Sequence, residues 1–289
     1  KVLFATETFA VGINMPARTV CFHSLEKFDG MTFRFLNSKE YFQLAGRAGR
    51  RGIDKEGLAI ALVERKTFDA KKVENFTSKD IDPIISQFKL SYNTVINLID
   101  KHTRAEQEII LKSSFDYYLK KKGGHQIRIM STYNHMIERL KKMNYVSKDD
   151  KVTEKGRFAT HIYSNELLIT ELFCNELYKK FSDVEMTIII AAITYEERLS
   201  DKFKLGDKKN YFNIVDSLEQ NDFAAKKLNF RNIARMNRIV SMWFEGREFA
   251  DLLEYTNIDE GDIIRIFRQI IDLYRQILRA TTDYELISK

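Results

Sequence analysis

Short apolar runs alternate with helical patterns in the first part of the chain. Residues 2–5, 19–22 and 58–63 are apolar runs bounded by Gly, Pro or charged side chains. Runs of this kind are typical of strands buried on both faces of a parallel sheet. The first run follows Lys1 directly, so we expect the sequence to start inside a domain. The pattern predicts part of an α/β domain over residues 1–80.

The strand pattern nearly disappears after this first domain. An apolar stripe predicts a helix over residues 83–99, and two further helices are predicted near 105–119 and 127–143. Residues 145–159 then have the pattern of a β-hairpin with a charged turn. Helices followed by a basic hairpin are typical of a winged helix. We therefore predict a winged-helix domain over residues 81–163.

Residues 164–289 are helical in pattern almost throughout, which predicts a C-terminal helical bundle. The predicted helices cover residues 167–181, 184–198, 211–228, 233–244, 248–254 and 259–279. In the last helix, one apolar stripe is predicted to face a core, and it consists of Ile263, Ile264, Phe267, Ile270, Ile271, Tyr274, Ile277 and Leu278. A second, mostly cationic stripe flanks it and consists of Arg265, Arg268, Asp272, Arg275 and Arg279.

The composition, with 44% hydrophobic and 30% charged residues, is that of an ordinary globular protein. No apolar run reaches the roughly 18–20 residues that cross a bilayer, so we expect no membrane partner. Cys21 and Cys174 lie far apart, without Cys or His partners at metal-ligand spacing, so we predict no metal site. The same usage of cysteine predicts a reducing compartment inside the cell, either nucleus or cytoplasm. The net charge of +6 permits a polyanionic partner.

The segment after the first predicted strand, residues 5–18, combines hydroxyl side chains with glycine and proline. Such a segment lies at the carboxyl edge of a parallel sheet, where ligand sites of α/β domains form. Thr6 and Thr8 offer hydroxyls and backbone amides to phosphate oxygens. Gly12 permits close approach of a backbone, and Pro16 stiffens the exit. An ordinary strand-to-loop turn is the alternative interpretation.

A basic helix that contains two glycines is predicted over residues 38–51, with Ser38 as its N-cap and Gly52 as its end. Gly46 and Gly49 each lower the stability of a helix by about 1 kcal/mol relative to alanine. Two such residues in one helix indicate that another part of the protein packs close to its backbone.

Gln43, Arg47 and Arg50 share one face of this predicted helix because they stand at positions i, i+4 and i+7. Three donors on one face suit a transferring phosphate, which requires cations directed at its γ-phosphoryl oxygens. The alternative is a solvated basic helix end, which does not account for the paired glycines.

Both segments also resemble known motifs. ATETFAVGINMPARTV at residues 5–20 and QLAGRAGRRGID at residues 43–54 resemble motifs V and VI of superfamily-two helicases. Glu7 and the run Arg50-Arg51-Gly52 are more similar to the superkiller-like DExH-box RNA helicases than to the related DNA-repair helicases. The resemblance implies that residues 1–80 form the end of the second RecA-like domain.

The likeness extends over the rest of the chain. LSYNTVINL at residues 90–98 is similar to the start of that family's winged helix. KVTEKGRFATHI at residues 151–162, followed by NELLITELF at residues 165–173, is similar to the passage into the family's C-terminal helical domain. The resemblance implies that Gln43, Arg47 and Arg50 contact the ATP phosphates, with the two arginines as arginine fingers. It implies that Gly12 and Asn14 border the nucleotide cleft. It also implies that Thr6 and Thr8 contact the RNA backbone.

The last predicted helix is similar to the family's ratchet helix, over which single-stranded RNA slides. The resemblance implies RNA contacts for Arg265, Arg268 and Asp272, and a cationic track suits sequence-independent binding of a backbone. Gln269 departs from the family because relatives often carry a base there. Without the resemblance, solubility and ion pairing across Asp272 explain the cationic stripe.

The implied function is that of an ATP-dependent RNA helicase. It would bind ATP and Mg²⁺ between two RecA-like domains and couple ATP hydrolysis to 3′-to-5′ translocation on RNA and its unwinding, in RNA processing or decay. The implied nucleic-acid partner is single-stranded or partly duplex RNA. The chain contains neither a G-x-x-x-x-G-K-[ST] phosphate loop nor a DExH motif, so we expect no ATP hydrolysis by the chain alone.

An exosome-type RNA-degrading complex is the implied partner. Only a few residues near 120–124 stand where exosome-associated members carry a long arch insertion, so partners that dock on the arch are not expected. Two alternatives stay open, a non-catalytic nucleic-acid-binding scaffold and a DNA helicase of the same architecture.

Overall fold

The computed structural model describes residues 2–28, 32–64, 68–78, 83–124, 128–198, 200–206, 208–283 and 286–287. The chain divides into two compact units, Lys1–Ile85 and Ser86–Lys289. Helices predominate, and the parallel sheet consists of two strands among the described residues. The predicted order of an α/β part followed by a mainly helical part is confirmed at this level.

The first unit contains both short sheets. Its elements are α1 (Glu7–Gly12), β1 (Thr19–Phe22), β2 (Glu26–Phe28), β3 (Phe33–Phe35), α2 (Ser38–Ala45), β4 (Leu58–Ala61) and α3 (Ala70–Thr77). Strands β1 and β4 pair in parallel, with Thr19 opposite Leu58, while β2 and β3 form an antiparallel pair. A small core of Phe22, Leu25, Leu36 and Phe76 lies under these elements.

The predicted strand at residues 2–5 is wrong. The segment has no regular structure, and the Phe4 side chain is 94% exposed. Strand β4 is also largely exposed, so the prediction that the strands are buried on both faces is wrong for it. The physical reason is that apolar strands become buried only where neighbouring strands and helices cover them, and within the described residues β4 pairs with β1 alone.

The helix predicted over residues 38–51 begins at Ser38 as expected, but its predicted N-cap and its predicted end are wrong. Asn37, rather than Ser38, is the N-cap of α2, and its side chain accepts a hydrogen bond from the Glu40 amide in a capping box. The helix ends at Ala45, and Gly46 is its C-cap. Residues 46–50 instead form a turn.

The first half of the second unit has a separate core. Its helices are α4 (Tyr92–Lys101), α5 (Arg104–Lys112), α6 (Phe115–Lys122), α7 (Ile129–Lys142) and α8 (Glu154–Thr160). Their buried side chains include Val95, Ile96, Tyr133 and Leu140. The helix predicted near residues 127–143 is confirmed by α7.

Three predictions in this part are wrong. Residues 83–90 are not helical, and α4 begins only after Ser91, whose side chain caps it. The single helix predicted near 105–119 is α5 and α6, because Ser114 caps a new helix. The predicted hairpin is reduced to one antiparallel bridge between Val146 and Val152, and Thr153 caps α8 directly after it.

The remaining helices of the second unit surround another hydrophobic core, which is distinct from that of α4–α8. They are α9 (Glu166–Cys174), a 3-10 helix (Leu177–Lys180), α10 (Asp183–Thr194), α11 (Lys208–Glu219), α12 (Asp222–Lys227), α13 (Phe230–Phe244), α14 (Phe249–Leu253) and α15 (Glu260–Ala280). Helix α10 is central and packs against α13 and α15, with Ile188, Ile189 and Ile190 fully buried. The predicted helices over 167–181 and 211–228 are each interrupted, near Asn175 and Asn221 respectively.

Candidate functional site

Backbone hydrogen bonds join the two motif segments of the first unit. The Ala17 amide donates to the carbonyl oxygen of Arg47 at 3.0 Å, and the Gly49 amide donates to the carbonyl oxygen of Ala17 at 2.7 Å. These bonds form a parallel bridge between Ala17 and Ala48. The structure therefore places residues 5–18 beside the turn that follows α2.

Glycine is required where this turn meets the start of β4. Gly49 has a φ of +92°, in the left-handed region that favours glycine. A Cβ on Gly57 would lie 2.4 Å from the Ala48 carbonyl, so the two backbones are in direct contact. The close packing inferred from the paired glycines is therefore present at Gly49, although in a turn and not in a helix.

The three predicted phosphate donors do not lie along one helix face. Gln43 is exposed on α2, whereas Arg47 and Arg50 follow the end of that helix, so the i, i+4, i+7 geometry is wrong. The turn gives Arg47 a different neighbour, because its Nη1 donates a hydrogen bond of 3.2 Å to Oδ1 of Asn14. Arg47 and Asn14, predicted at the same nucleotide cleft from separate motifs, are in contact.

Arg50 has a carboxylate partner that was not predicted. Its Nε and Nη2 each donate a hydrogen bond of 2.8 Å to the two carboxylate oxygens of Asp54, and its backbone amide donates to Oδ2 of Asp54 at 3.0 Å. The Arg50 guanidinium lowers the pKa of the Asp54 carboxyl to about 2. The i, i+4 spacing of the opposite charges could have indicated this ion pair from the sequence, although here the pair forms in a turn and not in a helix.

The predicted RNA contacts of the first motif lie at α1. Thr6 precedes this helix and Thr8 lies in its first turn, and both are exposed, so neither the predicted strand before them nor the alternative strand-to-loop turn is present. Gly12 ends the helix, and a Cβ there would meet no atom within 4 Å. That space leaves the Gly12 backbone accessible to a ligand.

An ion-pair network connects α1 to α2, and it was not predicted. Nζ of Lys27 lies 2.9 Å from Oε1 of both Glu7 and Glu40, and Arg34 donates two hydrogen bonds to the Glu40 carboxylate. Hydrogen bonding from Arg34 lowers the pKa of Glu40 to about 2, and bonding to Glu40 raises the pKa of Lys27. The network holds the first motif against the helix that leads into the second.

In the second unit, the cationic residues of α15 differ in their partners. Arg265 pairs with Asp262 at 3.2 Å and with Glu196 at 3.9 Å. The exposed guanidinium of Arg268 forms no ion pair or hydrogen bond with any described residue, and the same is true of Arg275. The Asp272 carboxylate accepts a hydrogen bond of 2.7 Å from Gln276, so ion pairing across Asp272 does not explain the stripe.

The apolar stripe predicted for α15 is only partly correct. Ile263, Phe267, Ile270 and Ile277 are buried, together with Ile266 and Leu273, which were not in the predicted stripe. Ile264, Ile271 and Leu278 are 47%, 39% and 46% exposed. These three residues alternate with Arg268 and Arg275 on the solvent side because all five lie at spacings of 3 and 4.

A groove of about 530 Å³ runs beside α15 from Gly261 to Gln276. Its lining includes Tyr163, Ile264, Arg268, Asp272 and Gln276. Arg265 and Gln269 also line it, so the predicted RNA contacts on this helix face one common space.

Among the described residues, no group of three or more His, Cys, Asp or Glu side chains could hold a metal ion. None of the described helices is both long and apolar enough to span a membrane.

Comparisons with known proteins identify relatives of the chain. The model of the DSHCT (NUC185) domain matches residues 149–289. The ATP-dependent RNA helicase mtr4 of Schizosaccharomyces pombe is 48% identical over 99 residues, which are 34% of this chain and 9% of that protein. The exosome RNA helicase MTR4 of Homo sapiens is 48% identical over 115 residues, 40% of this chain and 11% of that protein.

A third relative extends the match. Superkiller complex protein 2 of Mus musculus is 44% identical over 124 residues, 43% of this chain and 10% of that protein. These matches confirm the predicted resemblance to the superkiller-like DExH-box RNA helicases. The matched segments span only about a tenth of the length of these relatives.

Proposed function

We propose that this chain is the C-terminal part of an ATP-dependent RNA helicase of the superkiller-like DExH-box type. In this proposal, residues 1–80 end a second RecA-like domain, residues 81–163 form a winged helix, and residues 164–289 form a helical bundle with a ratchet-type helix. ATP hydrolysis would drive 3′-to-5′ movement on RNA and unwinding in RNA processing or decay, inside the cell. The relatives named as RNA helicases support this assignment.

The observation that carries the proposal is the pairing of Ala17 with Ala48, which brings the first motif beside Arg47 and Arg50. Gln43, Arg47 and Arg50 supply the planar donors that phosphate oxygens accept, and they fit the triphosphate of ATP. Asn14 contacts Arg47 and restricts its guanidinium. Mg²⁺ would neutralise phosphate charge when it is bound.

RNA would bind in the groove beside α15. Arg268 and Arg275 present unpaired guanidinium groups to solvent within the described part of the chain, as a sequence-independent backbone site requires. In this proposal Thr6 and Thr8 on the first unit also contact the RNA backbone. A partner of the exosome type is supported by the human relative, which is named as an exosome RNA helicase.

The ATPase of the complete protein tests the nucleotide part of the proposal. We expect Arg47→Ala and Arg50→Ala to lower kcat by about 10³-fold or more, the magnitude typical of an arginine finger, with RNA affinity retained. Arg51→Ala is the matched control because Arg51 is an exposed neighbour in the same turn with no assigned contact. Full turnover in both test variants would refute the roles of Arg47 and Arg50, whereas absence of ATPase activity from the complete original protein, with RNA binding intact, would favour the non-catalytic scaffold.

The chain by itself provides a second test. It lacks the phosphate loop, so we expect no phosphate release from ATP above the buffer level, with or without RNA.

Comparing RNA with DNA as the activator of the complete protein separates an RNA helicase from a DNA helicase of the same architecture.

A further inference from the structure

Tyr163 is held at the edge of the α15 groove by its backbone. It lies between α8 and α9, and its amide donates a hydrogen bond of 3.0 Å to Oε1 of Gln276 on α15. Nε2 of Gln276 in turn donates to Oδ2 of Asp272 at 2.7 Å. The Gln276 side chain therefore ties the Tyr163 loop to the helix that carries Arg268.

The side chain of Tyr163 is 71% exposed and lines the groove. Among the described residues, its ring has no aromatic or cationic partner and its hydroxyl has no hydrogen bond. Tyr274, on the same helix as Gln276, differs in both respects. Its hydroxyl bonds Thr187, and burial raises its pKa to about 12. Packing within this unit therefore explains why a tyrosine stands at position 274, but it does not explain the exposed tyrosine at position 163.

Tyr163 and the unpaired guanidinium of Arg268 line one groove, and this combination suits one class of ligand. Single-stranded nucleic acid offers phosphates to arginine and flat bases to aromatic rings, and stacking tolerates every base because each has a π-face. The aliphatic Ile264 and Ile271, both exposed on the solvent side of α15, add apolar surface that a base can contact. A peptide ligand would not account for the pairing of ring and guanidinium as directly.

We propose that Tyr163 is a base-stacking residue of this groove, with Arg268 holding an adjacent phosphate of the same RNA strand. This inference rests on the proposed function, because it assumes that RNA enters the groove. The hydrogen bond from the Tyr163 amide to Gln276 holds the backbone that carries the ring, so little conformational freedom of the backbone is lost when a base stacks on it.

The test measures binding of this chain to two fluorescently labelled ligands of equal length. One is oligo(U), and the other is an abasic ribose-phosphate oligomer that keeps the phosphates and lacks the bases. We expect Tyr163→Ala to weaken oligo(U) binding about tenfold and to leave abasic binding unchanged. Tyr163→Phe and Tyr163→Trp retain the ring and should bind oligo(U) within about twofold of the original chain.

Two controls separate the possible failures. Tyr118→Ala removes another exposed tyrosine, 55% exposed on α6, and should change neither affinity. Arg268→Ala should weaken both ligands by the same factor because it removes a phosphate contact. If Arg268→Ala and Arg275→Ala leave both affinities unchanged, RNA does not use this groove and the proposed function fails at this site.

Other outcomes overturn the inference about Tyr163 alone. Stacking is excluded if both arginine variants weaken binding while Tyr163→Ala binds oligo(U) normally, or weakens both ligands equally. A loss of affinity in Tyr163→Phe equal to that of Tyr163→Ala would assign the contact to the hydroxyl and would also overturn the inference.

Discussion

The Gly49 amide donates a hydrogen bond of 2.7 Å to the carbonyl oxygen of Ala17, and this bond connects two motifs that are distant in the sequence. It depends on the left-handed backbone of Gly49 and on the contact between Ala48 and Gly57. The position of Arg47 and Arg50 relative to Asn14 therefore depends on Gly49, which lies in a turn where the sequence predicts a helix, and on Gly57, which follows that predicted helix.

Gly57→Ala should destabilise the first unit. The added Cβ would lie 2.4 Å from the Ala48 carbonyl, so the backbone must shift, at a cost of about 1–3 kcal/mol in the free energy of unfolding. Gly12→Ala is the control, because its Cβ meets no atom within 4 Å and alanine is the better helix former. Urea denaturation of the two variants measures the difference. Equal stabilities would show that the contact between the turn and β4 is not tight.

Glu40 should make the first unit sensitive to acid. Because Arg34 and Lys27 lower its pKa from 4.5 to about 2, its ion pairs contribute fully above pH 4.5. Their contribution is lost as the pH falls from that value through about 2. Glu40→Gln should lower the free energy of unfolding at pH 7 by an amount on the order of 2 kcal/mol and remove most of this pH dependence.

Denaturant titrations between pH 2 and pH 7 check the Glu40 prediction. Glu74→Gln, on the exposed side of α3, is the matched control and should keep the pH profile of the original chain. A Glu40→Gln profile that follows the original chain through this range would contradict the prediction.

In the second unit, the ion pair between Lys155 and Glu171 should stabilise the fold only while both charges are present. Nζ of Lys155 lies 2.7 Å from Oε1 of Glu171, with side chains 18% and 9% exposed, and the hydroxyl of buried Tyr145 bonds the same carboxylate. Glu171→Leu leaves the half-buried Lys155 ammonium without its carboxylate partner and should cost about 3 kcal/mol. The double variant Lys155→Met with Glu171→Leu should recover most of that loss, because it leaves no unpaired charge.

Thermal melting of the two single variants and the double variant forms a double-mutant cycle for this pair. Additive losses would mean that Lys155 and Glu171 do not depend on each other. Tyr145→Phe in the same series should cost about 1 kcal/mol, since it removes the hydroxyl that bonds the Glu171 carboxylate and the Leu167 carbonyl and leaves the ring in place.

Arg268 and Arg265 should differ in RNA binding although they are neighbours on α15. Arg268→Ala removes an unpaired guanidinium and should reduce the slope of log affinity against log salt by about 0.7, the value for one phosphate on a single strand. Arg265→Ala should have a smaller effect, because Arg265 already pairs with Asp262 and Glu196. Salt titrations of oligo(U) binding measure both slopes, and equal slopes would refute this distinction.

The sequence by itself determined the features that depend on local pattern. The periodicity predicted α7 and α15 nearly to their observed ends, and the apolar runs predicted β1 and β4. The two motif segments and the resemblance that they carry were also evident, because each is a continuous run of residues. Local backbone preference and side-chain spacing are sufficient for features of this kind.

Only the tertiary structure decided which residues meet. Helix α2 ends at Ala45, and hydrogen bonds to Ala17 hold the following turn in place, so Arg47 contacts Asn14 and Arg50 pairs with Asp54. Likewise, the exposure of Ile264 and the position of Tyr163 depend on how the other helices pack around α15. Such contacts join residues far apart in the chain, and their free energy depends on partners that no local pattern specifies.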